Sequence, residues 1–160
     1  MLSKRITATL AALVAATVAS LTLAAPAQAA AAVHYVALGD SYSSGVGAGS
    51  YISSSGDCKR STKAYPQLWA NAHSPASYVS VACSGATTTS VINSQLSALK
   101  STTTLVSITV GGNDVGFANI MTTCVLQGQT QCVASVDTAM ANARSSLATK
   151  LGKVYAGIRS

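Results

Sequence analysis

The chain carries very little charge. Asp, Glu, Lys and Arg make up 9% of its 160 residues, glutamate is absent, and four Asp stand against ten Lys and Arg. The surface must therefore be built mainly from Ser, Thr, Asn and Gln. Because no dense Lys/Arg run with interleaved aromatic residues occurs, a nucleic-acid partner is not expected. The mildly basic balance allows only a weak, unspecific attraction to anionic surfaces.

Metal ligands are also scarce. The chain has two histidines, His34 and His73, which do not lie at ligand spacing, and it has no C-x-x-C pair. A zinc site is therefore not expected, and neither is any other metal or cofactor.

The first 29 residues have the pattern of an export signal. A positive start at Lys4 and Arg5 precedes an uncharged stretch over residues 6–25, and small residues in an A-x-A arrangement follow. We therefore expect cleavage of a signal peptide, residues 1–29, and no stable membrane insertion afterwards. A retained membrane anchor is the alternative, because the uncharged stretch is nearly long enough to span a bilayer. Residues 30–160 would then form one domain of a secreted, extracellular protein.

Four cysteines lie outside that signal: Cys58, Cys83, Cys124 and Cys132. An even number of cysteines in an exported chain predicts disulfides. Four cysteines allow three pairings. Nearness in the sequence favours a Cys124–Cys132 bond, which would leave Cys58 to pair with Cys83.

Short β-branched runs alternate with helical patterns along the chain. Strands are predicted at residues 33–38, 77–82 and 104–110. Helices are predicted at about 62–72, with Thr62 as cap, at 91–99, at 115–126, and from Val133 to the end of the chain. The alternation predicts βαβ units, and hence an α/β fold with a parallel sheet. Three strands make a thin parallel sheet, so we expect the domain to be C-terminally incomplete.

Residues suited to acyl chemistry follow each predicted strand. Gly39-Asp40-Ser41 ends the first strand, Gly85 follows the second, and Asn113 follows the third after two glycines. The carboxyl ends of parallel strands meet at one edge of a sheet, where ligands bind. Acyl transfer needs a nucleophile and donors to an oxyanion, which Ser41, the Gly85 N–H and the Asn113 amide could supply. Asp40 is expected to hold the backbone of the turn.

Each of these residues also has an ordinary structural interpretation. Ser41 could be one loop serine among many, and Gly85 could be a turn glycine. Asn113 could cap a helix beginning at Val115, although Asp114 could take that role and leave the amide free. The occurrence of all three at strand ends favours the interpretation as a serine ester hydrolase.

Three segments together resemble the SGNH hydrolases, the GDSL-type lipases and esterases, and most of all the secreted actinobacterial lipases among them. They are, in chain order, residues 39–45 (GDSYSSG), 82–86 (ACSGA) and 111–114 (GGND). The resemblance covers essentially all of the chain after the signal. It implies a flavodoxin-like three-layer α/β/α fold with a parallel sheet, and the disulfides Cys58–Cys83 and Cys124–Cys132.

The resemblance also implies a role for each candidate residue. Ser41 would attack the carbonyl carbon of an ester, and the N–H groups of Ser41 and Gly85, with the Asn113 amide, would bind the oxyanion. The substrate would be a small-molecule or lipid ester, and the enzyme is expected to be a monomer. The acyl and alcohol parts of the ester substrate are not predicted, because this kind of site does not fix the leaving group.

The chain departs from that family in one block. The family's last block, Asp-x-x-His, supplies the catalytic acid and histidine, and no Asp here is followed by His three residues later. His34 opens the first strand and His73 ends a helix, so neither is expected to reach Ser41 as a base. Little or no esterase activity is therefore expected of this chain alone.

Two other functions are alternatives to a lipase or esterase. A non-catalytic secreted binding module, or a degenerate remnant that keeps the same cleft, would show the same pattern. A dinucleotide-binding fold is suggested by the glycines of residues 45–49. However, Ser50 stands where the last glycine of that motif should be, and no acidic residue follows a second strand.

Overall fold

The computed structural model describes residues 31–160 and contains one parallel sheet, with its three strands in the order β2-β1-β3. In chain order these strands are β1 (His34–Gly39), β2 (Ser77–Ser80) and β3 (Leu105–Thr109). In the central strand, Val36 pairs with Val79 of β2 and with Val106 of β3. The predicted parallel α/β fold is confirmed, whereas the predicted signal peptide lies outside the described residues.

Helical segments connect the strands and follow the last of them. The α-helices are α1 (Ser41–Ser44), α2 (Tyr65–His73), α3 (Thr88–Ser90), α4 (Phe117–Leu126), α5 (Gln129–Asn142) and α6 (Ala148–Arg159). Wider π-helical turns lie at Val91–Gln95 and Ala143–Leu147, and 3₁₀ turns at Ser53–Cys58, Leu96–Ala98 and Asn113–Val115. None of the helices in residues 31–160 has both the length and the apolar character needed to cross a bilayer.

The central strand contributes to two apolar cores, one on each face of the sheet. Val36 and Leu38 pack on one side, with Val154 of α6. Tyr35 and Ala37 pack on the other side, with α2. Alternate side chains of a strand point to opposite faces, so the apolar run of β1 is explained by helices covering both. The helix–sheet–helix layers agree with the expected α/β/α arrangement.

The last predicted helix is interrupted, and the first part of its apolar face is exposed. In place of one helix from Val133, the chain forms α5, a π-helical turn and α6, and α5 already begins at Gln129. Val154 is fully buried, but Val133 is 51% exposed and Met140 48%. The spacing of apolar residues therefore identifies the apolar face without showing whether another element covers it.

Helix α2 begins three residues later than predicted. It starts at Tyr65, with Ala64 at the N-cap and no side-chain hydrogen bond there, so Thr62 is not its cap. Pro66 lies in the first turn. Proline favours that position because its φ is already helical and its missing N–H would have had no partner.

All four cysteines are paired, as expected, in the bonds Cys58–Cys83 and Cys124–Cys132. The first bond joins the 3₁₀ turn after α1 to the loop that follows β2. The second closes the short connection between α4 and α5.

The two disulfides are expected to differ in their contribution to stability, because a cross-link restricts the unfolded chain more when its loop is longer. The bonds join residues 25 and 8 positions apart. Replacing Cys58 and Cys83 by Ser should lower the free energy of unfolding by about 3.5 kcal/mol, and replacing Cys124 and Cys132 by about 2.5 kcal/mol. Urea unfolding measures both, and a larger loss at the shorter loop would contradict this expectation.

The half-buried phenol of Tyr78 should make the fold sensitive to alkali. Burial raises the pKa of Tyr78 from 10.0 to about 12. The folded chain thus keeps this proton more tightly than the unfolded chain, so the stabilisation is complete below pH 10 and is lost as the pH rises towards 12. The free energy of unfolding of Tyr78→Phe should therefore fall less steeply between pH 10 and pH 12 than that of wild type. Circular dichroism measures the unfolding. Tyr155→Phe, which changes an exposed phenol, should behave like wild type.

Candidate active site

Ser41 follows a tight turn at the carboxyl end of the central strand. Gly39 has φ of +122°, and a Cβ atom there would collide with the backbone oxygen of Thr109. Only glycine fits such a position. The Asp40 N–H donates to that same oxygen at 2.9 Å, and α1 begins at the next residue. Ser41 is partly exposed, whereas Ser43 is fully buried beneath it.

Asp40 fixes the backbone of this turn, as expected. It is 8% exposed, and one carboxylate oxygen accepts hydrogen bonds from the Tyr42 N–H at 3.0 Å and from the Thr109 hydroxyl at 2.7 Å. The first of these bonds caps α1, and the second ties the turn to the end of β3. A carboxylate that is bonded in this way orients the chain next to Ser41.

A chain of hydroxyl groups continues from Asp40 under the turn. The Ser43 hydroxyl lies 2.7 Å from the Thr109 hydroxyl and 3.0 Å from the Tyr65 hydroxyl. The Ser43 N–H also donates to the Thr109 hydroxyl, at 3.1 Å. These bonds join α1, α2 and β3. No short sequence pattern predicts these bonds, because their partners lie far apart along the chain, although the alternation of Ser107 and Thr109 with apolar residues in β3 indicates one polar face.

The hydroxyl chain extends further along the sheet to a buried tyrosine. The Tyr65 hydroxyl donates to Ser107 at 3.4 Å, and the Tyr35 hydroxyl lies 2.6 Å from the same Ser107 oxygen. Burial raises the pKa of Tyr35, and its hydrogen bond to Ser107 acts in the opposite sense. The net effect is a raised pKa, so Tyr35 is a neutral phenol near pH 7 and this end of the series of hydroxyl groups carries no charge.

The loop that carries Gly85 is attached to the same turn. The Cys83 N–H donates to the Gly39 carbonyl at 2.9 Å, which extends the pairing of β1 beyond the end of β2. The Cys58–Cys83 disulfide and a hydrogen bond from the Ser84 N–H to the Cys58 carbonyl hold the loop from the other side. Gly85 is exposed with φ of +79°, and it borders a cavity of about 340 Å³.

The loop that carries Asn113 is in turn bonded to the Gly85 loop. The Asn113 Nδ2 donates to the Ala86 carbonyl at 2.8 Å, which fixes the plane of the amide. A primary amide has two N–H groups, and the second has no acceptor among residues 31–160. Asn113 lies in a 3₁₀ turn directly after two glycines and is partly exposed.

Neither Asn113 nor Asp114 caps a helix, so that structural interpretation is wrong. Helix α4 begins only at Phe117, with Gly116 at its N-cap. Asp114 is instead almost fully buried, and it accepts hydrogen bonds from the N–H and the hydroxyl of Thr88 at 2.9 and 2.6 Å. Its carboxylate also lies 3.5 Å from the Lys150 ammonium.

Both histidines of the chain are engaged elsewhere. His34 begins β1, at the opposite end of that strand from Ser41, and its Nδ1 lies 2.8 Å from the Ser77 hydroxyl. His73 ends α2, where its ring stacks on Trp69 and its Nδ1 lies 2.8 Å from the Trp69 carbonyl. The β1 strand of six residues is about 20 Å long. No group of three potential metal ligands occurs within residues 31–160.

The Thr109 hydroxyl is expected to stabilise the turn measurably. Thr109→Val would leave the Ser43 N–H without its acceptor and remove one donor to Asp40. The free energy of unfolding should fall by about 2–3 kcal/mol, because polar groups inside the protein would lose their partners. Thr109→Ser keeps the hydroxyl and should lose less than about half of that. Urea unfolding compares the two, and a loss in Thr109→Ser as large as that in Thr109→Val would show that the hydroxyl is not the main contribution of this side chain.

Comparison with known proteins gives several similar Streptomyces proteins. The chain is 60% identical over 157 residues to "Lipase 1" of Streptomyces coelicolor, an alignment that covers 96% of this chain and 59% of that protein. It is 57% identical over 129 residues to "Lipase" of Streptomyces rimosus, covering 81% of this chain and 48% of that protein. The chain thus spans about half the length of the curated relatives it matches.

Solved structures agree with this fold and these sequences. The crystal structure of phospholipase A1 from Streptomyces albidoflavus NA297 superposes with a TM-score of 0.78 at 62% identity, over 81% of this chain and 55% of that one. The extracellular lipase from Streptomyces rimosus gives a TM-score of 0.77 at 57% identity, over 79% and 54%. A model of the GDSL-like lipase/acylhydrolase family matches residues 37–158, the segment that contains all three loops described above, and the chain belongs to that family.

Proposed function

We propose that this chain is the part of a secreted serine ester hydrolase that carries the nucleophile and the oxyanion hole. Ser41 is the nucleophile, and the N–H groups of Ser41 and Gly85, with the Asn113 amide, bind the oxyanion. The main support is the Asn113 amide, which the Ala86 carbonyl orients beside Gly85. The bond between the Gly39 carbonyl and the Cys83 N–H in turn connects the Gly85 loop to the turn before Ser41.

The chemistry follows from what each group can donate or accept. The Ser41 hydroxyl oxygen forms a bond to the ester carbonyl carbon, and the carbonyl oxygen becomes an oxyanion. Ser41 is the first residue of α1, so its N–H has no acceptor within the helix and can donate to that oxyanion. Gly85 and the free N–H of Asn113 would supply two more donors. Preorganised donors of this kind stabilise the transition state more than the bound ester.

The hydroxyl proton of Ser41 also needs a base, and neither His34 nor His73 is placed to accept it. In a serine protease, loss of the catalytic histidine lowers kcat by about 10⁶-fold, and about 10³–10⁴-fold acceleration over water remains. The 160 residues alone should therefore hydrolyse esters only weakly. Free imidazole, which has the chemistry of the missing side chain, should partly restore the rate.

The substrate we propose is a carboxylic ester of a lipid. This rests on the names of the similar proteins, which are lipases and a phospholipase A1. Those names do not favour the alternative of a non-catalytic binding module. We further propose that residues 1–29 are cleaved as a signal peptide and that the protein is extracellular and monomeric.

Chemical rescue tests the nucleophile. Hydrolysis of p-nitrophenyl butyrate by the chain should rise with imidazole concentration well above the rise that imidazole causes alone. Ser41→Ala should abolish the protein-dependent part, whereas Ser54→Ala, at an exposed serine of another turn, should leave it unchanged. A rescued rate that survives in Ser41→Ala would refute the proposal.

A second experiment tests the oxyanion hole. Asn113→Ala removes one proposed donor and should lower the imidazole-rescued rate by about 10²–10³-fold. Asn119→Ala changes an exposed amide on the neighbouring α4 and should have no effect. If both variants keep the wild-type rate while remaining folded, Asn113 is not an oxyanion donor.

A further inference from the structure

A buried glutamine side chain binds the last residue of the central strand. Gln95 is 3% exposed. Its Oε1 accepts a hydrogen bond from the Gly39 N–H at 2.7 Å, and its Nε2 donates to the Gly39 carbonyl at 2.9 Å. One side-chain amide is thus committed to both polar groups of a single residue, 56 positions earlier in the chain.

These two bonds replace a neighbouring strand at the point where β2 ends. β2 stops at Ser80, and beyond it the Val81 and Cys83 N–H groups still donate to the carbonyls of Ala37 and Gly39. The Gly39 N–H faces the same side of β1, because the odd-numbered residues of this strand point their polar groups towards β2. Gln95 supplies its acceptor, so a buried N–H is not left without a partner.

The segment that carries Gln95 is also bonded to the Asn113 loop. In α3, the turn before it, the N–H and hydroxyl of Thr88 both donate to Asp114. The next turn, Val91–Gln95, is π-helical, a wide turn that often marks functional sites. Gln95 also lines the 340 Å³ cavity beside Gly85. One short segment therefore connects to all three loops of the candidate site.

We propose that Gln95 is a positioning residue for ester hydrolysis: through its two bonds to Gly39 it sets the position of Ser41 relative to Gly85. This inference rests on the proposed function. Gln95 acts through the backbone two residues before Ser41 and does not touch the substrate. A misplacement of about 1 Å at a reacting atom can lower a rate about 100-fold. Gln95 should therefore affect the rate at which Ser41 reacts in each folded molecule.

The test measures how fast a fluorophosphonate probe labels Ser41 in the full chain in imidazole buffer. In this reaction the Ser41 oxygen forms a bond to phosphorus, fluoride leaves, and imidazole takes the hydroxyl proton. Peptide mass spectrometry locates the label, and each rate is divided by the folded fraction from circular dichroism. Gln95→Leu removes both bonds at similar volume and should lower this rate about 10- to 100-fold. Gln129→Leu, at an exposed glutamine, should not.

Gln95→Glu separates hydrogen bonding from packing within one protein. A protonated carboxyl group keeps an acceptor and has an O–H donor in place of the amide N–H, whereas an ionised one cannot donate to the Gly39 carbonyl. Burial should raise the pKa of this carboxyl above about 4.3. The labelling rate of Gln95→Glu, divided by that of wild type, should be near one at low pH and should fall about tenfold as the pH rises through that pKa. The ratio for Gln95→Leu should stay low and flat.

Other titrations cancel in these ratios, because the wild type carries the same groups. The elements packed against the Gln95 turn include β1, α3 and α6. The titratable side chains of these elements are His34, Tyr35, Lys150, Lys153, Tyr155 and Arg159, and Asp40 directly follows β1. Gln129→Glu, an exposed substitution of the same charge, controls for the added carboxylate and should give a ratio that does not change with pH.

The outcomes separate the two proposals. A pH-dependent ratio for Gln95→Glu, with a low ratio for Gln95→Leu, supports the positioning role. Wild-type rates per folded molecule in both variants would give Gln95 a purely structural role and overturn this inference alone. A Gln95→Glu rate that is low at every pH would overturn it too, because packing would then explain the loss. If Ser41 of the wild type is not labelled at all, the proposed function and this inference both fail.

Discussion

The backbone groups of Gly39 and Asp40 determine how the three loops of the candidate site are arranged. The Gly39 carbonyl accepts from the Cys83 N–H on one side, and the Asp40 N–H donates to the Thr109 carbonyl on the other. Adjacent residues of a strand in the middle of a sheet direct their polar groups to opposite neighbours. The loops after β2 and β3 are therefore both held in place by hydrogen bonds to these two residues, and Ser41 is the next residue in the chain.

Side chains also bind the same two residues, one from each side of the central strand. Gln95 reaches Gly39 from the side of β2, whereas Thr109 reaches Asp40 from the side of β3. Neither contact adds charge, and each satisfies a buried polar group of the turn. The turn is thus held by a network of short hydrogen bonds, which restricts the position of the hydroxyl that follows it.

The features that the sequence predicted well depend on local patterns. The apolar, β-branched run of β1 and the glycine that ends it lie within ten consecutive residues, and this local pattern places Ser41 directly after a strand. The helix predicted over 91–99 illustrates the limit at element boundaries. It begins at Thr88, because Thr87 and Ser90 cap each other across the first turn. A capping box with serine in place of Glu or Gln is a weak signal in a serine- and threonine-rich chain.

The features that the sequence did not reveal depend on partners far along the chain. Asp114 has the residue type of a helix cap, but its partners are Thr88 and Lys150. Gln95 has no local pattern that marks it, because its partner lies 56 residues earlier. Such contacts follow from the packing of the layers, which only the three-dimensional arrangement specifies.

The Cys58–Cys83 bond links the geometry of the Gly85 loop to the redox state of its surroundings. In a reducing cytosol these two thiols remain separate, and the loop loses its covalent attachment to the turn after α1. The loop would then be held only by hydrogen bonds, from the Cys83 N–H to the Gly39 carbonyl and from the Ser84 N–H to the Cys58 carbonyl. An oxidising environment, in which the bond forms, therefore adds a covalent constraint to the position of the Gly85 N–H.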